Sequence, residues 1–106
     1  MRWYDPLRRR AEIAYVRRRG RAASYPTLSA YAAEPAGSRA RFCVTVSTQV
    51  GNAVVRNRVR RRIKGALDQL GPQDGPVRML FVAKPAAGQA AFAAIAADVA
   101  RALARR

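Results

Sequence analysis

The chain has 106 residues, and its 21 lysines and arginines against six acids give a net charge of +15. That length fits one domain, and an isoelectric point near 11.8 lies in the range of nucleic-acid-binding domains. Without histidine the chain lacks the commonest general base and metal ligand, and a lone cysteine, Cys43, excludes an internal disulfide and an ordinary structural zinc site. Because the six acids are also scattered, we expect no catalytic side chain and no metal or cofactor held by the protein alone.

The first predicted element is a basic helix. Asp5 is predicted to cap it and Pro6 to occupy its first position. The helix is predicted to run from Leu7 to about Arg19, where Gly20 ends it. Arginines crowd its polar side, so it adds to a cationic surface.

Two strands and a possible third are predicted next. Thr27 to Ala32 and Arg41 to Thr48 both alternate polar and apolar residues, as half-buried strands do. A shorter strand is predicted from Arg21 to Tyr25. The polar sides of the two main strands carry hydroxyls and Tyr31, a face that can receive single-stranded nucleic acid by stacking. The commoner role of such a tyrosine is an aromatic at the edge of a core.

The stretch from Gly51 to Lys64 holds six basic residues and no acid. Asn52 is the predicted N-cap of a helix that continues to about Leu70, with apolar residues at steps of about four. One stripe therefore packs on a core and the rest is cationic. Like charges at this spacing repel, so their crowding favours a polyanionic partner, whose phosphates suit guanidinium groups. The predicted nucleic-acid-binding residues are Asn52, Arg56, Asn57, Arg58, Arg60, Arg61, Arg62 and Lys64.

The C-terminal part predicts a strand and a helix. After a loop rich in glycine and proline, Val77 to Ala83 reads as a buried strand, and Gln89 to Arg105 as an amphipathic helix. The predicted fold is a single α+β RNA-binding domain over residues 1–106, with three helices and one roughly four-stranded sheet in the order α-β-β-β-α-β-α. No signal peptide or membrane-spanning run is seen, and a cytoplasmic location is expected.

The basic helix carries an Arg-Asn-Arg core, Arg56 to Arg58, and follows a strand ending in Val46-Ser47 and a short turn containing Gly51. This arrangement resembles the protein subunit of bacterial ribonuclease P. The likeness is specific over about residues 41–67 and continues more weakly across nearly the whole chain. Five residues match the family's RNA-binding motif directly: Arg56, Asn57, Arg58, Arg60 and Arg61.

The resemblance implies both a fold and a function. It implies a left-handed crossover through the basic helix, where general topology rules alone favour a right-handed one. It also implies that the protein binds a large catalytic RNA, and that the complex removes the 5′ leader from precursor tRNA. The RNA is expected to hold the catalytic magnesium ions, and neither a membrane nor a small-molecule substrate is expected as a partner.

The resemblance further implies a cleft between the first helix and the sheet that holds the single-stranded leader. The residues at or near the family's cleft positions are Ile13, Arg17, Tyr31, Ser47 and Lys84. Two departures are visible: Ile13 and Arg17 stand where the family has two aromatics, and Thr48-Gln49 replaces a lysine pair. Two outcomes are open: leader binding is weaker than in the family, or Arg17 replaces the aromatic contact with charge and stacking.

Two other functions stay open on composition alone. A non-catalytic RNA-binding protein of ribosomal or assembly type would use the same basic helix. A basic membrane-surface protein would use the amphipathic character of the basic helices, although two strand segments and the compact core pattern count against it.

Overall fold

The computed structural model describes residues 2–106, in which one five-stranded sheet is flanked by three helices. The strands are β1 (Tyr4–Pro6), β2 (Arg21–Ser24), β3 (Leu28–Ala33), β4 (Ala40–Thr45) and β5 (Arg78–Ala83). The helices are α1 (Arg10–Arg19), α2 (Ala53–Leu70) and α3 (Phe92–Arg105), and a 3₁₀ turn, Pro85–Gly88, precedes α3.

The strands lie side by side in the order β1-β4-β5-β3-β2. β4 pairs in parallel with both β1 and β5, while β3 runs antiparallel to β5 and β2 antiparallel to β3. The parallel neighbours β4 and β5 are joined through α2, so the predicted crossover is present. Its left-handed sense stays a prediction from the family resemblance.

Helices cover both faces of the sheet because β5 is apolar on both sides. Phe81 packs with Ile63 of α2 and Ile95 of α3 in the larger core cluster. Leu80 faces the other way and packs with Val16 of α1 in a smaller cluster. α1 therefore lies on one face of the sheet, and α2 and α3 lie on the opposite face.

The N-terminal segment differs from its prediction. Asp5 and Pro6 belong to β1 rather than to a helix start, and the Asp5 carboxylate accepts a hydrogen bond from Arg39 Nε at 3.0 Å. The rings of Trp3 and Tyr4 lie 5.3 and 5.0 Å from the ring of Phe42. That aromatic burial and the pairing with β4 outweigh the local capping signal. α1 consequently begins at Arg10, and the sheet gains a fifth strand.

The other predicted elements are confirmed, with shifted ends. The side chain of Asn52 caps α2 by accepting from the amide of Val55 at 3.0 Å, as predicted. β4 ends at Thr45 rather than Thr48, because the chain turns through the bond from the Val50 amide to the Ser47 carbonyl. The 3₁₀ turn delays the start of α3 to Phe92.

Candidate nucleic-acid interface

A cationic ridge runs along α2 beside a buried stripe. Val59, Ile63 and Leu67 are each 0% exposed, so this side of the helix is fixed against the sheet and α3. Arg56, Arg60 and Lys64 follow one another at four-residue steps along a different side, and we name them the α2 ridge. Arg56 and Arg60 are half-buried and Lys64 is exposed. The exposed side chain of Arg61 flanks the ridge.

Within residues 2–106, no acid lies within ion-pair distance of any cation of α2. Five of the six acids in the sequence pair instead with arginines outside α2. On the ridge itself, Arg60 Nη1 donates to the side-chain oxygen of Asn57 at 2.9 Å, which leaves the charge of Arg60 uncompensated. The ridge is therefore available to an external anion.

Two arginines of α2 bind the protein's own backbone. Arg58 Nη2 donates to the carbonyl of Gly88 at 3.0 Å, and Arg62 Nη1 donates to the carbonyl of Ala90 at 2.7 Å. These bonds tie α2 to the segment between β5 and α3. Arg58 and Arg62 were predicted to bind RNA alongside the ridge, and the structure gives both a positioning role in the fold.

An exposed apolar residue in the first turn of α2 was not predicted. Val54 is 73% exposed in the first turn of α2, next to the cap residue Asn52. The sequence signal was its position off the apolar stripe, which begins one residue later at Val55. Val54 adds an exposed non-polar side chain one turn before Asn57 and Arg58.

Three of the five predicted cleft residues come together between α1 and the sheet. Tyr31 lies opposite Leu80 in the sheet and packs with Ile13 against the smaller core cluster. The guanidinium carbon of Arg17 lies 5.8 Å from the centroid of the Tyr31 ring, within cation–π range. Tyr31 is half-buried, so one part of its ring belongs to the core and the rest faces the cleft.

The remaining two predicted cleft residues lie toward the end of the sheet. Lys84 Nζ donates to Ser24 Oγ at 2.5 Å, and Ser24 pairs across strands with Ser29. Ser29 is two residues from Tyr31 on the same side of β3, so Lys84 extends the cleft. Ser47 is exposed in the turn after β4, and no side-chain hydrogen bond joins it to the other cleft residues within 2–106.

A polar network holds α1 to the sheet away from the cleft. The Tyr15 hydroxyl donates to the carboxylate of Glu34, and this bond lowers the pKa of Glu34 and raises the pKa of Tyr15. Arg78 lies beneath the Tyr15 ring and pairs with Glu12 at 3.2 Å. Tyr15 thus projects away from the cleft, and Arg17 is the α1 side chain that meets Tyr31.

The structure of residues 2–106 also bears on metal binding and on membrane spanning. No group of three or more cysteine, aspartate or glutamate side chains there is arranged to hold a metal ion. No helix in that range is long and apolar enough to cross a bilayer.

Comparison with known proteins places this arrangement in one family. The family model described as Ribonuclease P matches residues 1–106. The chain is 37% identical over 101 residues to the ribonuclease P protein component of Gluconacetobacter diazotrophicus, covering 92% of this chain and 86% of that protein. It is 38% identical over 103 residues to the corresponding protein of a Nocardioides species, covering 93% and 88%.

A solved structure is similar in fold. The ribonuclease P protein of Staphylococcus aureus superposes with a TM-score of 0.85 over 94% of this chain and 93% of that one. At 18% identity, this likeness concerns the fold alone. Together with the sequence matches, it leads to one conclusion. The chain belongs to the ribonuclease P protein family, whose members are subunits of the endoribonuclease that acts in tRNA 5′ processing.

Proposed function

We propose that the α2 ridge binds the catalytic RNA of ribonuclease P and that the cleft beside α1 binds the 5′ leader of precursor tRNA. The binding of the catalytic RNA is supported by the charge of the ridge. Arg56, Arg60 and Lys64 have no acidic partner within residues 2–106. Guanidinium groups bind phosphate oxygens with two parallel hydrogen bonds, and here they stand on a helix fixed by its buried stripe.

In this proposal the protein supplies binding and the RNA supplies catalysis. The catalytic magnesium ions sit on the RNA, where phosphate oxygens are abundant. This division is supported by the lack of histidine and by the engagement of five of the six acids with arginine. The complex works in the cytoplasm, where Cys43 would stay reduced.

The cleft suits a single strand because it combines a ring face with two cations. Tyr31 offers the exposed part of its ring to a base. Arg17 lies over the Tyr31 ring and Lys84 bonds Ser24, and each can approach a phosphate. Ser24 and Ser29 between them provide hydroxyls that hydrogen-bond to ribose or phosphate oxygens. Arg17 in this way takes over part of the role that an aromatic holds in the family.

A reconstitution assay tests this function. The cognate catalytic RNA is incubated with precursor tRNA across a range of magnesium concentrations, with and without the protein. We expect the protein to accelerate cleavage most at low magnesium, because its cations then neutralise phosphates that magnesium no longer screens. If the protein bound the RNA yet changed neither the cleavage rate nor the substrate affinity at any magnesium level, the non-catalytic RNA-binding alternative would hold.

The cleft is tested by Arg17→Ala, with Arg18→Ala as the matched control. Both arginines are exposed on α1, but only Arg17 lies over Tyr31. One lost charge-assisted contact is worth at least about 1.5 kcal/mol, so Arg17→Ala should weaken binding of leader-bearing tRNA to the assembled complex by about tenfold. Arg18→Ala should cause a smaller loss.

Mature tRNA without a leader provides the second control for the same measurement. Its affinity should not distinguish the two variants, since it does not enter the cleft. Equal losses for Arg17→Ala and Arg18→Ala with the leader-bearing substrate would remove Arg17 from the leader site.

A further inference from the structure

A groove opens between the N-terminal edge of the sheet and α2, apart from the cleft beside α1. Its floor includes Tyr4, Phe42 and Val44, and its volume is about 220 Å³. Three cations line it: Arg2, Arg8 and Lys64. We name this the β1 groove. It exists because Tyr4–Pro6 forms a strand instead of the start of α1.

The charge at the β1 groove is unbalanced. The Arg2 guanidinium pairs with Asp68 at 3.2 Å and lies over the Tyr4 ring at 5.5 Å from its centroid. Arg8 and Lys64 have no acid within ion-pair distance in residues 2–106. Both are exposed. Two unneutralised cations therefore border an apolar, aromatic floor, an arrangement complementary to an unpaired nucleotide with its flanking phosphates.

The size and polarity of the groove limit the kind of ligand that it can bind. Pockets for drug-sized molecules hold about 300–1,000 Å³, so the 220 Å³ of the β1 groove suits a single ring system rather than a larger ligand. Burial and the nearby carboxylate of Asp68 raise the pKa of Tyr4, so its side chain adds no negative charge to the floor.

We propose that the β1 groove binds one unpaired nucleotide of the catalytic RNA, with its base against the apolar floor and its phosphates on Arg8 and Lys64. We assign the nucleotide to the catalytic RNA because the groove is continuous with the α2 ridge. Lys64 is the last member of the α2 ridge and also lines the groove, so an RNA strand that follows the ridge reaches the groove directly. The leader cleft lies on the opposite face of the sheet. This inference rests on the proposed function of the ridge.

The groove is tested with Arg8→Glu, and Arg10→Glu is the matched control. Arg10 is exposed, lies two residues away and does not line the groove. Both variants replace one arginine with glutamate, so they change the net charge equally. We expect Arg8→Glu to weaken binding of the cognate catalytic RNA about tenfold more than Arg10→Glu does. The slope of log affinity against log salt should also become shallower by about 0.7–0.9, the value for one lost phosphate contact.

Crosslinking identifies which RNA occupies the groove. A photocrosslinker is attached at Arg8→Cys in a Cys43→Ser background, with Arg10→Cys as the control position. We expect Arg8→Cys to crosslink to an unpaired nucleotide of the catalytic RNA within the full complex. Crosslinks to the leader, or to a second copy of the protein, would overturn the inference.

The outcomes separate this inference from the proposed function. If the unaltered protein fails to bind the catalytic RNA, the proposed function fails, and the groove proposal fails with it. If the unaltered protein binds and the two glutamate variants lose affinity equally, the ridge stands and the groove proposal is wrong.

Discussion

Replacing Arg56 and Arg60 together with glutamate should abolish assembly with the catalytic RNA and leave the protein folded. Each arginine in contact with a phosphate contributes about 1.5 kcal/mol or more. Losing two contacts costs about 3 kcal/mol, or roughly 100-fold in affinity, and the introduced repulsion adds to that loss. The fold should persist, because neither side chain is part of the buried stripe of α2. The measurements are RNA affinity and thermal unfolding.

The matched control for this double variant is Arg18→Glu with Arg19→Glu. It makes the same change in net charge on exposed positions of α1, on the other face of the sheet. About six phosphate contacts would give a slope of log affinity against log salt of roughly −4 to −5, and the ridge variant should flatten this by about 1.4–1.8. Equal losses in the two double variants would mean that only net charge matters.

Asp98→Ala should produce the largest loss of stability of any single acid replacement. Asp98 is 2% exposed, and its carboxylate accepts from the amide and the hydroxyl of Thr27 at 2.9 and 2.6 Å. Arg101 donates to the other carboxylate oxygen at 2.6 Å. Alanine would leave the two donors of Thr27 buried without a partner, at about 1–3 kcal/mol each.

A loss of about 3 kcal/mol should lower the melting temperature by about 12 °C or more for a domain of this size. Asp74→Ala is the control, because Asp74 is exposed and its carboxylate forms no ion pair in residues 2–106. Calorimetry or circular dichroism follows the transition. A shift for Asp98→Ala no larger than that for Asp74→Ala would show that the buried network contributes little.

Local signals predicted α2 almost to the residue, and failed at β1. Asn52 caps its own helix, and the apolar stripe of α2 recurs within that helix, so both signals lie inside the element they predict. β1 is set by pairing with β4 and by packing of Trp3 and Tyr4 against Phe42, which is more than 35 residues away. Asp5-Pro6 carries a true capping signature, and tertiary contacts overrode it.

The candidate site also has features that local sequence predicted and features that depend on tertiary contacts. The cationic character of α2 is a matter of composition and spacing, and it was predicted. The separation of Arg58 and Arg62 from the ridge depends on the carbonyls of Gly88 and Ala90, whose position only the folded chain defines. Asp98 interrupts the apolar sequence of α3, and its role depends on Thr27, which is 71 residues away in the chain.

If α2 binds the catalytic RNA and the cleft beside α1 binds the leader, as proposed, the placement of α1 and α2 on opposite faces of one sheet puts the protein between two polyanions. Its smallest extent is 24 Å, about three Debye lengths at physiological ionic strength, where that length is about 8 Å. Two RNA strands held on the two faces would therefore repel each other only weakly through the solvent. The protein's own net charge of +15 would offset part of the repulsion that remains.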